Sequence, residues 1–202
     1  MKIANILRKV LRRLVPNNSV EKALGVDICE SGVMQNAIEL WHNMYKNEPP
    51  WRGGKDNVIP LNLPSAISEE FARLILTEFS MEVTGSPMAA FINEQLKDQL
   101  TDLNKFVEMY CAGGAIAVKP FVTNIDENGK PTAIELDFVK AVDFFPCAFN
   151  NKGEITAAVF VEGKKIGDYL YTRLEYHELT GMTYTIINKA FKSEEIYQYN
   201  DD

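Results

Sequence analysis

The chain has 202 residues, of which 46% are apolar and 10% aromatic, a composition that supports a sizeable core and disfavours intrinsic disorder. Residues 1–20 contain five basic residues and no acidic one, so that within the net charge of −7 the rest of the chain carries −12. An acidic body repels phosphate, which excludes tight binding of nucleic acid over a broad face. No run approaches the roughly 18 apolar residues of a membrane span, and the paired basic residues near the N-terminus disfavour a signal peptide.

Residues 1–16 are predicted to form a basic amphipathic helix that ends at Pro16. Its apolar residues recur at helical spacing, at Ile3, Ile6, Leu7, Val10, Leu11 and Leu14. Its basic residues are candidates for an interaction surface: Arg8, Lys9, Arg12 and Arg13. Such a helix can dock on the acidic body or on a sister subunit, lie on an anionic membrane surface, or contact nucleic acid.

A second amphipathic helix is predicted from about Met34 to Tyr45, and it ends before a loop that begins at Pro49-Pro50. This loop contains Trp51 and Arg52, the other candidates for an interaction surface. An exposed Trp beside an Arg is typical of a protein interface. The alternative interpretation is that Trp51 folds back as a plug into the core.

The next segments alternate between short strands and helices. Residues 58–63, closed by Pro64, favour an edge strand. A helix over about 65–79 is predicted to bury four large side chains, those of Ile67, Phe71, Leu74 and Ile75. Residues 81–84 suggest a short strand, and Ser86-Pro87 begins a helical stretch that continues to Gly113-Gly114.

The periodicity then changes to two, which is typical of β-strands. Strands over 115–122 and 133–139 flank Asn128-Gly129, a turn signal that predicts a hairpin. Further strands are predicted over 156–161, 169–177 and 182–187, with turns at 150–153, around Gly163 and at Thr180-Gly181. Helices followed by an antiparallel β meander predict an α+β fold. We expect three parts: the helix of residues 1–16, an α+β domain over 17–192, and a polar tail over 193–202.

No set of residues indicates catalysis, cofactor binding or metal binding. His42 and His177 are the two histidines, and neither has a partner at metal-ligand spacing. Cys29, Cys111 and Cys147 are far apart and odd in number, which favours free thiols. Gly113-Gly114 follows a helix, where glycine ends the helix, whereas phosphate loops lead into a helix. The protein is therefore predicted not to be an enzyme.

Fourteen short segments, in this order along nearly the whole chain, resemble the N-terminal part of the portal proteins of tailed bacteriophages. The resemblance is to the family of long-tailed phages and prophages of Gram-positive bacteria. The segments are Ala37-Ile38-Glu39-Leu40-Trp41, Met44-Tyr45, Pro50-Trp51, Leu61-Asn62-Leu63-Pro64, Ala72-Arg73-Leu74, Glu82-Val83-Thr84-Gly85-Ser86, Phe91-Ile92-Asn93, Ala112-Gly113-Gly114, Val118-Lys119-Pro120, Asp143-Phe144-Phe145-Pro146, Ala158-Val159-Phe160-Val161, Tyr171-Thr172-Arg173-Leu174-Glu175-Tyr176-His177, Tyr184-Thr185-Ile186 and Asn188-Lys189-Ala190-Phe191.

The resemblance implies a structural subunit of the portal ring at one capsid vertex, usually a ring of twelve copies. The implied partners are other portal subunits, capsid proteins, terminase, head-completion proteins, and double-stranded DNA that passes through the channel without sequence specificity. The terminase supplies the ATPase activity, so the resemblance implies no cofactor. It also implies location in the virion, and in the host cytoplasm during assembly.

Members of this family are more than twice as long, and the matched region corresponds to their outer wing. The long channel-lining helix, the clip and the crown would follow Phe191, where this chain becomes polar. We therefore expect a truncated portal gene product or an expressed fragment. The alternative function is a free-standing binding module that uses the basic helix of residues 1–16 to attach to membrane or nucleic acid.

Overall fold

The computed structural model describes residues 17–52, 59–100, 102–167 and 169–194. The helix predicted over 1–16 and residues 195–202 of the predicted tail lie outside them. In chain order the elements are α1 (Asn17–Leu24), α2 (Gly32–Tyr45), a 3₁₀ turn (Pro50–Arg52), α3 (Leu63–Leu76), α4 (Ala89–Gln99), α5 (Leu103–Gly113), β1 (Ile116–Ile125), β2 (Pro131–Lys140), a 3₁₀ turn (Ala141–Asp143), β3 (Phe144–Phe149), β4 (Ile155–Ile166), β5 (Tyr169–Thr180) and β6 (Thr183–Glu194). The helices precede antiparallel strands, which confirms the α+β prediction.

The described residues form two compact units: a sheet unit of residues 17–34 and 143–194, and a helical unit of residues 35–142. The sequence placed both within one domain spanning 17–192, and that boundary stays a prediction. Strand β6 continues to Glu194, two residues into the segment predicted as a polar tail.

The sheet unit is a four-stranded antiparallel meander in the order β3-β4-β5-β6. Its core lies between one face of the sheet and helix α1, where Val20 is 2% exposed and Val159 and Leu174 are fully buried. Lys189 on β6 donates a hydrogen bond to the carbonyl of Ala23 in the last turn of α1. A lysine at this end of a helix satisfies a carbonyl that has no partner within the helix.

The helical unit combines α3, α4 and α5 with the β1–β2 hairpin. The turn at Asp126 to Gly129 confirms the predicted hairpin, with Gly129 at φ +77°. Phe106 on α5 stacks on Phe138 of β2 with ring centroids 3.9 Å apart. Helix α5 ends at Gly113, and Gly114 follows it as a left-handed cap with φ +78° and an N–H bond to the Tyr110 carbonyl. The interpretation of the glycine pair as a helix end is confirmed.

The prediction of an edge strand over 58–63 is wrong for residues 59–63, the part of this segment that the structure describes. Residues 59–62 are irregular and Leu63 already begins α3. Asn62 adopts a left-handed conformation with φ 54°, which no strand tolerates, and Pro64 has the fixed φ that suits a first helical turn. The backbone preferences of Asn62 and Pro64 therefore decide the structure of this segment, although its apolar residues alternate as they do in a strand.

The short strand predicted over 81–84 is also wrong, because its backbone pairs with a side chain. Asn93 on α4 accepts a hydrogen bond from Val83 N at 2.8 Å and donates one to Val83 O at 2.9 Å. This amide occupies both hydrogen-bonding groups that a neighbouring strand would use.

Replacing Asn93 with Asp should lower the free energy of unfolding of the helical unit by about 1–3 kcal/mol, because the carboxylate cannot donate to the Val83 carbonyl. Chemical denaturation measures the loss. Asn124→Asp, on an exposed stretch of β1, is the matched control. Equal stability of Asn93→Asp and the parent chain would contradict the role of the Asn93 side chain in holding the Val83 backbone.

Two further differences concern the strands of the sheet unit. Gly163 was predicted to lie in a turn, but it lies within β4 opposite Thr172, and the chain turns at Gly167 instead. Strand β3 was not predicted, because Pro146 interrupts it and its residues 144–148 are half-buried without alternation.

Candidate functional site

The loop that carries Trp51 and Arg52 begins where helix α2 ends. Asn47 is left-handed with φ 61°, and the N–H of Glu48 bonds to the Asn43 carbonyl at 2.8 Å. This arrangement is a Schellman motif, which redirects the chain sharply after a helix. Arg52 then donates from Nη1 to the Asn47 carbonyl at 3.3 Å, so that the arginine holds the loop against the end of α2.

Trp51 is 60% exposed, which excludes the alternative in which it plugs the core. Its ring lines an apolar groove of about 290 Å³ together with Met44, Pro49 and residues 59–64. Ile59 and Leu61 are 87% and 91% exposed. The loop therefore presents large apolar side chains to solvent instead of burying them.

Helix α3 begins at Leu63, which lines the groove and marks one face of this helix. The side chains at successive turns of this face, Ile67, Phe71 and Leu74, are 47%, 55% and 55% exposed. We call the set formed by Trp51, Ile59, Leu61, Leu63, Ile67, Phe71 and Leu74 the apolar surface. Contiguous exposed apolar surfaces of this kind mark interaction sites in soluble proteins.

The burial predicted for helix α3 is wrong, because the helix buries a different stripe. Ile67, Phe71, Leu74 and Ile75 were expected in the core, and all four are about half exposed. Ser68 and Ala72 are 6% and 0% exposed and lie one turn apart on the side that packs against α5. Small residues at this contact allow the two backbones to approach closely, while the large side chains point elsewhere.

The structure places the candidate interaction residues as follows. Trp51 and Arg52 lie together in the loop described above, and their binding of a partner stays a prediction. Arg8, Lys9, Arg12 and Arg13 lie outside the described residues. The sequence missed the contribution of residues 59–63, which the prediction of an edge strand had assigned to a sheet.

Tyr45, the last residue of α2, fastens the end of this helix to α5. Its hydroxyl donates to Glu108 Oε1 on α5 at 2.8 Å, and burial, followed by this hydrogen bond, raises the pKa of Tyr45 well above its usual value. The phenol therefore stays protonated and remains a donor over the physiological pH range.

Replacing Tyr45 with Phe should lower the free energy of unfolding of the helical unit by about 1–2 kcal/mol, since the hydrogen bond to a carboxylate is lost. Urea denaturation measures this loss of stability. Tyr110→Phe is the control, because Tyr110 is 49% exposed. Equal effects of the two substitutions would contradict a specific role for the Tyr45 hydroxyl.

No group of three or more His, Cys, Asp or Glu residues suitable for a metal ion occurs within the described part of the chain. All three cysteines are free thiols. Burial, followed by the neighbouring Cys29, raises the pKa of the Cys147 thiol to about 11. The thiolate of Cys147 is therefore scarce at neutral pH, and this residue is poorly suited to act as a nucleophile.

His177 has partners that its position in the sequence did not reveal. Its Nδ1 lies 2.5 Å from Tyr184 Oη across the β5–β6 hairpin, and its Nε2 lies 3.3 Å from Glu175 Oε1. Residues two apart on a strand share a face, so the pair Glu175 and His177 could have been inferred from β5 alone. Arg173 adds a salt bridge to Glu162 at 2.7 Å and approaches Glu175 at 3.6 Å. The salt bridge between Arg173 and Glu162 links β5 to β4.

Comparison with known proteins gives no relative: no protein-family model, no curated protein and no solved structure matches this chain. Among the residues for which coordinates are described, no helix is long and apolar enough to cross a membrane.

Proposed function

We propose that this chain is the N-terminal, wing-like part of a phage portal subunit, with a structural role and no catalytic activity of its own. In this proposal it belongs to a ring at the capsid vertex through which DNA is packaged and ejected. Its partners are other portal subunits, capsid, terminase and head-completion proteins, and it is located in the virion and, during assembly, in the host cytoplasm. DNA passes through the ring without sequence-specific contacts.

The apolar surface is the observation that carries this proposal. Phe71 and Leu74 each leave 55% of their surface in water, and a Phe or Leu side chain gains about 1.5–3 kcal/mol when it is fully buried. A self-contained domain would bury such residues in its own core. Their exposure on a well-formed helix supports a subunit that buries them against another part of an assembly.

The charge and the ordered resemblance support the identity of that assembly. The −12 net charge of residues 21–202 disfavours tight binding of DNA to this part of the subunit, because like charges repel, and this agrees with DNA that passes without adhering. The segments that resemble portal proteins include Pro50-Trp51 and residues 61–64, of which Trp51 and residues 61–64 line the groove.

Deletion of the gene from a strain that produces the phage should give capsids that lack packaged DNA. Complementation with the intact gene should restore packaging, whereas the same gene carrying Phe71→Asp combined with Leu74→Asp should not. Lys152→Asp, on the exposed turn between β3 and β4, is the matched surface control and should restore it. Normal DNA-filled particles in the deletion strain would contradict the proposal.

A further inference from the structure

Strand β6 is the outermost strand of the sheet unit, and no described strand pairs with its outer edge. It is 12 residues long and pairs with β5 in one continuous register without a bulge. Every side chain from Thr183 to Lys192 is exposed. Long, regular edge strands of this kind are templates for pairing with another chain.

The β5–β6 turn shows which backbone groups of β6 point outward. Thr180 and Thr183 flank a two-residue turn with Gly181 at φ +62°, so this pair exchanges the first hydrogen bonds of the ladder. Hydrogen-bonded pairs alternate along antiparallel strands. Odd-numbered residues of β6 therefore bond to β5, and the N–H and C=O groups of Ile186, Asn188, Ala190 and Lys192 point away from it.

The opposite edge of the same sheet, at β3, is protected. Pro146 lacks an N–H, the β3–β4 register shifts on both sides of Ala148, and Pro146 O already accepts a hydrogen bond from Cys29 N at 2.9 Å. Proline, irregular register and a covering segment are the usual devices that prevent edge pairing.

The β1–β2 hairpin of the helical unit is protected in the same manner. Pro120 and register shifts around Asn124 interrupt β1. On β2, Gln95 and Gln99 of α4 accept hydrogen bonds from Ile134 N and Leu136 N.

Strand β6 has none of these devices within the described residues. Lysines that could guard its edge are turned back onto their own sheet unit, since Lys189 donates to the Ala23 carbonyl and Lys192 Nζ lies 3.6 Å from the centre of the Tyr169 ring.

We propose that β6 binds β6 of a second copy of this chain, in an antiparallel arrangement about a two-fold axis near Asn188. The two four-stranded sheets then form one continuous sheet of eight strands. Because the edges of β3, β1 and β2 are protected, edge-to-edge pairing uses β6 on both partners. Each β6 edge binds one other β6 edge, so this contact joins only two copies. This contact does not depend on the proposed function, since a two-fold pair is distinct from the cyclic contacts of a ring.

An axis at Asn188 gives a pairing without charge conflict. Ile186 lies opposite Ala190 of the second copy, and Ile187 lies opposite its Lys189. Moving the axis by one residue toward the C-terminus would set Lys189 opposite Lys189 of the second copy, which is destabilising.

Residue-resolved amide exchange of the full chain, measured from micromolar to millimolar concentration, tests the proposal. The amides of Ile186, Asn188, Ala190 and Lys192 should become protected as concentration rises, while those of Thr185, Ile187, Lys189 and Phe191 are protected throughout. Sedimentation velocity should show a monomer–dimer equilibrium over the same range. A chain that stays monomeric, or even-numbered amides that are protected independently of concentration, would overturn the proposal; the latter would mean that the chain's own residues cover the edge.

Two substitutions at the axis separate edge pairing from folding. Asn188→Pro removes an N–H that β5 does not use, and Asn188→Lys keeps the N–H but sets like charges side by side. Either should weaken dimerisation by about tenfold or more, with circular dichroism confirming the fold. Asn124→Lys on β1 is the matched control and should leave the dimer unchanged. A dimer that survives Asn188→Lys and is lost in Asn124→Lys would assign the contact to β1 and refute the role of β6.

Discussion

Replacing Leu174 with Ala should lower the free energy of unfolding of the sheet unit by about 3–5 kcal/mol. Leu174 is fully buried between the sheet and α1 in contact with the core cluster. Its truncation removes buried methyl groups and leaves a cavity that regular strands cannot close. Urea denaturation followed by circular dichroism measures the change in midpoint.

Leu179→Ala on the same strand is the matched control, because Leu179 is 48% exposed. It should cost about 1 kcal/mol or less, since little cavity forms at a half-exposed site. Similar losses at Leu174 and Leu179 would contradict the placement of the core.

Substitutions at two neighbouring residues of helix α3 should lower the free energy of unfolding in the reverse order of size from that which the apolar periodicity predicts. Phe71→Ser should cost about 1 kcal/mol or less, because the ring is 55% exposed. Ala72→Leu should cost about 1–3 kcal/mol, because Ala72 is completely buried where α3 packs against α5, and three added heavy atoms overfill that contact.

If α3 instead buried the face that its periodicity favours, Phe71→Ser would cost about 3–5 kcal/mol, and Ala72→Leu would be nearly neutral. Denaturation of both variants distinguishes the two orientations. Phe71→Ser should also raise solubility, since it removes an aromatic ring from the apolar surface.

Much of the fold could be predicted because local signals agree with the final structure. The Asn128-Gly129 turn, the Thr180-Gly181 turn and the alternation along β5 each define a hairpin without information from distant residues. The strand predicted over residues 81–84 does not form, because the Asn93 side chain, ten residues away from Val83, makes the hydrogen bond that a neighbouring strand would make. No local pattern shows such a contact.

The orientation of α3 could not be predicted for a different physical reason. Periodicity identifies which face of a helix is apolar, but it does not say whether that face packs on the same chain or on another molecule. The candidate site was therefore found only in part. Trp51 and Arg52 were identified from their loop, whereas Leu61 and Phe71 became part of the site only when their exposure was known.

Side-chain footprinting with hydroxyl radicals, in the isolated chain and in purified phage particles, tests most directly whether the apolar surface is an assembly interface. We expect Trp51, Leu61, Phe71 and Leu74 to be oxidised readily in the isolated chain and strongly protected in the particle. Met182, which is fully exposed on the β5–β6 turn, serves as the internal reference. Equal oxidation of the four residues in both samples, or absence of the chain from the particles, would contradict the account.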